Sequence, residues 1–222
     1  MTKNELIDEI IEKEWVMFHT VNGDDRTSCQ EDRRTFEIMR RGQYDAWSEE
    51  TVACYLDDIL RAAAEGRNLA REKYIRMMKV TDPVGYENFK GELPELSAEK
   101  EALVAELWEK FLAQTLRMRE KYPFLALGGR PTYASEEVNG WPSLETYQTC
   151  ETMTYSEQTL KALLKHFNEL EAQGIDLVYE IQKNSVLGLG YKTMDEAEES
   201  MKNQVFRQLS AMGGGCCCGG GV

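Results

Sequence analysis

Histidine is scarce in this chain, with only His19 and His166. That excludes a histidine-rich metal site, so any metal would fall to sulfur or carboxylate. Long apolar runs are missing too, and nowhere do 18 apolar residues follow one another as a membrane span needs. Met1 to Val21 reads as a charged amphipathic stretch, not a basic leader followed by an apolar core. The expected location is therefore cytoplasmic, with no membrane partner. Positive charge is in deficit, 26 basic against 39 acidic residues, for a net charge of -13. Such a surface repels a phosphate backbone, so nucleic acid is not an expected partner. No segment alternates apolar and polar residues well enough for a strand, which leaves an all-α fold. The six cysteines fit no secreted disulfide framework and are expected to be mostly thiols in a reducing compartment.

What is present is 222 residues at 42% hydrophobic and 29% charged, ordinary for a protein with one substantial core. The chain also repeats itself. At an offset of 108, Phe36 to Leu69 matches Leu144 to Leu177, sharing Glu37/Glu145, Ser48/Ser156, Glu49/Glu157, Thr51/Thr159, Gly66/Gly174 and Leu69/Leu177. Trp47/Tyr155, Val52/Leu160 and Ile59/Phe167 keep their apolar character. An offset of 97 pairs Leu6/Leu103, Glu9/Glu106, Glu12/Glu109 and Lys13/Lys110, so the later copy carries a longer loop after its first helix. The expectation is a helical bundle of two pseudo-twofold-related copies within one domain, residues 1–212. The first copy spans about 4–90, the second about 97–200, a final helix about 194–212, and a flexible Gly/Cys tail follows at 213–222. A shared cleft on the pseudo-twofold axis would be the natural ligand site.

Local signals place the helices. Residues 5–21 carry Leu6, Ile10, Met17 and Val21 with Ile7, Ile11 and Phe18 on one stripe of the 3.6-residue period. Ser48 and Ser156 read as N-caps, Gly66 and Gly174 as left-handed helix stops, and Asn68 and Asp176 as caps of the helices that follow. Asp82-Pro83 starts a short helix to about Phe89, and Ser97 starts a long one that ends before Pro123. Thr193 with Glu196 forms a capping box. Residues 123–143, with Pro123, Pro131, Pro142, Gly129 and Gly140, read as the longest irregular stretch.

The strings Glu14-Trp15-Val16-Met17-Phe18, Arg26-Thr27-Ser28-Cys29-Gln30, Thr35-Phe36-Glu37-Ile38-Met39-Arg40, Gly66-Arg67-Asn68-Leu69 and Glu72-Lys73-Tyr74-Ile75-Arg76-Met77-Met78, with Gly129-Arg130-Pro131 later, carry a resemblance. The chain resembles the bacterial domain-of-unknown-function family DUF4125 over roughly residues 4 to 200. The resemblance implies a shared helical body. It brings no activity and no catalytic residues to carry over, and the terminal cysteine run lies outside it.

That run, Cys216-Cys217-Cys218 between glycine triplets, is the sharpest chemical feature. Three thiols on a flexible tether can offer thiolates to a soft ion such as Zn(II) or Cu(I), or to an iron–sulfur cluster, with a protein partner completing the site. The alternative is a tail without function, or one open to thiol modification. A second feature is that nine of the 13 arginines fall between Arg26 and Arg76. Arg26 and Arg130 lie in comparable loops and could clamp a small carboxylate or phosphate, with Ser28 and Gln30 beside Arg26. The arginines in helices read instead as solvated ion pairs, Arg33–Glu37–Arg41 and Glu72–Arg76. Cys29 would be a nucleophile or sulfur ligand if it sits at a helix N-terminus, with His19 as its base; otherwise Ser28 caps and Cys29 packs. The four tryptophans read as core. Three functions follow: soft-metal or cluster handling by the tail, which the sequence favours, an enzyme acting on a small anion between the copies, or a helical interaction module.

Overall fold

Polar side chains open most of the helices by accepting from backbone amides that have no partner within the helix. In the computed structural model, which describes residues 1–21, 31–127, 129–138 and 140–213, Thr2 starts α1 (Lys3–His19) with a full capping box to Glu5. Asp32 starts α2 (Arg33–Ala46), Ser48 α3 (Glu49–Ala64), Asn68 α4 (Leu69–Thr81) and Asp82 the short α5 (Pro83–Phe89). Ser97 starts α6 (Ala98–Lys121), Ser143 α8 (Leu144–Thr152) and Ser156 α9 (Glu157–Ala172). Each of these side chains accepts from the backbone amide three residues on, the geometry that makes such residues favourable caps. The remaining helices are α7 (Pro123–Leu127), α10 (Leu177–Gly188) and α11 (Met194–Gly213). Among the described residues there is no strand, only an isolated bridge between Val138 and Trp141.

Gly66 and Gly174 end α3 and α9 at φ 70° and 72°. The amide after each reaches back to a carbonyl five residues earlier, Arg67 to Ala62 at 2.8 Å and Ile175 to Leu170 at 2.9 Å. This Schellman closure needs a left-handed residue, hence glycine.

Two sequence expectations need correction. Asp176 does not cap α10 with its side chain. Arg117 on α6 takes both its carboxylate oxygens at 2.9 and 2.7 Å, and Gln114, fully buried on α6, accepts from the Val178 amide instead. Thr193 accepts from Glu196 as a cap should, but the Glu196 carboxylate accepts from Lys192, so the box is only half formed. Apart from α7 and a 3-10 turn at Ala134–Glu136, the described residues of 123–143 lack regular structure as expected, yet side-chain carboxylates hold their backbone. Glu198 holds the amides of Phe124 and Leu125, Glu136 those of Thr132 and Tyr133, Glu145 that of Ala134, and Glu137 the amide and hydroxyl of Ser143. Carboxylates accepting from backbone amides make strong, charge-assisted bonds, and here they do what a helix would otherwise do.

The helices pack in two sets. α1 lies on α2, α3 and α4, while α6 lies on α8, α9 and α10. α3 meets α9 at the centre, α2 crosses to lie on α10, and α4 crosses to lie on α8. The α2–α10 contact is close because small residues face it: a Cβ on Gly42 would stand 2.5 Å from Ser185 Oγ and 2.9 Å from Ser185 N. The core runs from Ile7 and Ile10 through Tyr44, Trp47, Tyr55 and Ile59 to Leu107, Leu160, Leu163, Phe167 and Leu177. A smaller cluster, Tyr122, Val186, Met194 and Ala197, joins α11 to the rest. Trp47 is buried as expected, but Trp141 is exposed. Among the described residues no helix is long and apolar enough to cross a membrane.

Candidate functional site

A cavity of about 440 Å³ opens where α1, α2, α4, α8 and α10 meet. Helical spacing aims their side chains into it: Glu14 and Phe18 from α1, Phe36, Arg40 and Gln43 from α2, Leu69 and Lys73 from α4, Tyr147 and Glu151 from α8, Ile181 and Ser185 from α10. Steps of three and four residues keep each set on one helix face.

The inner wall is charged and almost wholly buried. Glu151 accepts from Arg40 Nη1 at 2.7 Å, from the Lys73 ammonium, and from the Tyr155 hydroxyl at 3.1 Å. Glu14 accepts from the Tyr55 hydroxyl at 2.7 Å through Oε1, and its Oε2 lies 3.3 Å from Arg40 Nε. Arg40 Nη1 also reaches Gln43 at 3.0 Å, and the Lys73 ammonium stands 3.5 Å over the Tyr147 ring. Burial alone would raise the Glu151 pKa, but Arg40 and Lys73 outweigh it and hold the carboxyl well below the usual range. Burial works against the charge on Lys73 and Arg40 as well, yet the facing carboxylates more than restore it and both pKa values rise. Burial pushes the phenols of Tyr44, Tyr55 and Tyr155 up, so they stay neutral hydrogen-bond donors. Two cations and two anions therefore face one another inside low-dielectric surroundings. Glu14 Oε2, fully buried, is held by its ion pair to Arg40.

At the mouth stands Arg130, from the loop before α8. Its guanidinium lies 4.7 Å from the Tyr147 ring centre and 5.0 Å from that of Trp141, and Nη1 donates to the Pro142 carbonyl at 3.0 Å. Arg119 donates to the Arg130 carbonyl at 2.7 Å and steadies the loop. Among the described residues Arg130 has no carboxylate partner, so the planar cation is held in place by stacking while its charge is unspent.

Of the residues expected from sequence, Arg130 lines this cavity. Arg26, Ser28, Cys29 and Gln30 lie outside the described residues, as do Cys216, Cys217 and Cys218. The described cap of α2 is Asp32. His19 ends α1 with its ring 5.2 Å from Trp15, away from the cavity lining, and His166 contacts the Ala46 carbonyl at 2.9 Å. Cys54 and Cys150 are buried free thiols, and burial pushes Cys150 up to about 11, away from nucleophilic chemistry. Among the described residues no group of three or more His, Cys, Asp or Glu side chains could hold a metal ion.

The reading of helical arginines as solvated pairs holds for Arg33, which reaches Glu37 at 2.6 Å, and for Arg41 with another partner, and fails for Arg76. Arg41 turns to Asp8. Glu72 takes Arg67 at 2.7 and 3.0 Å, which leaves Arg76 donating to the Pro94 carbonyl at 3.2 Å. Arg40, Glu14, Lys73 and Glu151 were missed as site residues. One signal was available: Glu14 interrupts the stripe Ile7, Ile10, Ile11 and Phe18, and Arg40 falls between Phe36 and Tyr44 on theirs. A charge on the apolar face of a helix points either to a buried partner or to a ligand. A second, open hollow beside Cys54 and Gln158 carries Lys161 and Lys165, but those already pair with Glu99 and Glu50.

The chain belongs to the DUF4125 family, whose description is protein of unknown function and whose model matches residues 4–199. No curated protein and no solved structure matches it.

Proposed function

We propose that this DUF4125 chain binds a small organic anion in the cavity between α1, α2, α4, α8 and α10, with Arg130 as the docking cation at its mouth. The observation that carries the reading is the convergence of Glu14, Arg40, Lys73 and Glu151 from four separate helices on one cavity. A buried ion network is a poor way to gain stability, because desolvating its members costs about as much as their attraction returns. Its place on the wall of a cavity, with apolar and aromatic sides for the rest of a ligand, favours recognition over scaffolding.

The reading includes an internal duplication. Its support is the matched packing of α1–α4 and α6, α8, α9 and α10, the paired Ser48 and Ser156 caps, and the paired glycine closures. The two halves then differ where it matters. At the positions equivalent to Arg40 and Lys73 stand Gln148 and Ile181, which line the same cavity, so the first copy alone supplies its two buried cations. A cytoplasmic location fits the buried free thiols Cys54 and Cys150. Soft-metal handling would rest on Cys216, Cys217 and Cys218 alone, and the geometry favours the cavity.

A thermal-melt screen of small carboxylates and phosphate monoesters tests the reading. A ligand at one hundred times its Kd stabilises the folded state by about 2.7 kcal/mol, which raises the melting temperature by several degrees. At least one such anion is expected to do so for the parent protein and much less for Arg130→Ala. No response to any anion, or an equal response in the variant, overturns the reading.

A further inference from the structure

We infer that the ligand of this cavity is an aromatic monocarboxylate, its carboxylate held by Arg130 at the mouth and its flat ring seated among Phe18, Phe36, Tyr74 and Tyr147. The inference rests on the anion-binding reading and narrows it in charge and in shape. The charge follows from which cations are already taken. Arg40 pairs with Glu14 and Glu151, and Lys73 with Glu151, so the two cations of the inner wall are matched within it. Asp32, the remaining carboxylate of the lining, caps α2 by accepting from the Thr35 amide at 3.0 Å. Arg130 is left as the lining cation without a carboxylate partner among the described residues, and its planar fork suits the two oxygens of one carboxylate. A second anionic group further in would face Glu14 and Glu151 with no unmatched cation to receive it. Dicarboxylates and doubly charged phosphate monoesters are disfavoured for that reason.

The shape follows from the lining. A cavity of about 440 Å³ is far larger than a bare carboxylate fills, so the ligand carries a body. That body meets mostly rings. Phe18 lies nearly parallel to Phe36, with 5.4 Å between centroids and 11° between planes, and to Tyr74 at 6.3 Å and 22°. Tyr147 adds a ring from α8, and Met17 and Met39 add thioethers, which make favourable contacts with aromatic edges. Among the described residues the aliphatic part of the lining is Leu69, Ala70 and Ile181. Such surroundings prefer an aromatic guest to a saturated one of similar size, because the ring quadrupoles add to the gain from buried area.

The test is isothermal titration of the full chain with benzoate, phenylacetate and 3-phenylpropionate, each against its cyclohexyl counterpart and its neutral amide, with phenylsuccinate and phenyl phosphate as dianions. At least one aryl carboxylate is expected to bind about fivefold or more tightly than its cyclohexyl counterpart, the factor that an aromatic pair supplies. It should bind about tenfold or more tightly than its amide, the factor that one charge-assisted hydrogen bond supplies. Phe36→Leu should shrink the first preference and leave the second, and Arg130→Ala should do the reverse. The comparison among probes on the parent protein stands even if a variant fails to fold. If cyclohexyl carboxylates bind as tightly as the aryl ones, or a dianion binds more tightly than every monocarboxylate, the inference is wrong and the anion reading survives. If no anion binds, both fall.

Discussion

Lys73 on α4 and Glu151 on α8, 78 residues apart in sequence, form an ion pair whose side chains keep only 6% and 5% of their exposure. Glu151 holds Arg40 as well, so removing its charge strands two buried cations at once. Glu151→Gln is expected to cost about 3–5 kcal/mol in a urea titration, the loss that follows when one member of a buried pair is removed. Adding Lys73→Met to that variant should cost little more, because the lysine has already lost its partner. Two independent, additive losses would mean that the pair is not coupled as the geometry requires.

The same residue gives the acid limb of stability a direction. The folded Glu151 carboxyl has a pKa well below its ordinary value, so as pH falls the unfolded chain takes up the proton first. Stability from this group is fully present above the unfolded value of about 4.3 and falls progressively below it. Lys73 acts in the opposite sense: its raised pKa gives stability that is present below about 10.4 and is lost as pH rises through the folded value. Urea midpoints measured downward from neutral pH should fall more steeply in the parent than in Glu151→Gln. Parallel acid limbs would remove Glu151 from the account.

Gly42 is required by the approach of α2 to α10. An alanine Cβ there would press on the Ser185 hydroxyl and on its backbone nitrogen, which cannot swing aside. Gly42→Ala should therefore cost about 1–3 kcal/mol, the usual penalty of overpacking. Gly91→Ala, where nothing lies within 4 Å, should stay within about 0.5 kcal/mol. Chemical melts of the two variants decide the matter, and equal stability would mean that the two helices can part at no cost.

What the sequence made legible was local. Ser48, Ser97, Ser156, Asn68 and Asp82 act within three residues of themselves, and the left-handed turns at Gly66 and Gly174 need nothing beyond their own backbone. Asp176 looked the same on paper and behaves differently, because Arg117 arrives from 59 residues away and outcompetes the amide. The site was hidden for the same reason. Arg40 reaches Glu151 across 111 residues, and only the fold brings them together. Arg130 could be picked out early because its loop is unusual, whereas Lys73 and Glu151 look like any charges on a helix surface.

The most direct test of the cavity reading is a methionine-methyl NMR titration with whichever small anion stabilises the protein most. Met17 and Met39 line the cavity, while Met118 and Met194 belong to the separate cluster under α11. Binding in the cavity predicts that the Met17 and Met39 resonances shift and saturate together while those of Met118 and Met194 stay still. Shifts confined to Met118 and Met194, or none at saturating ligand, would contradict it.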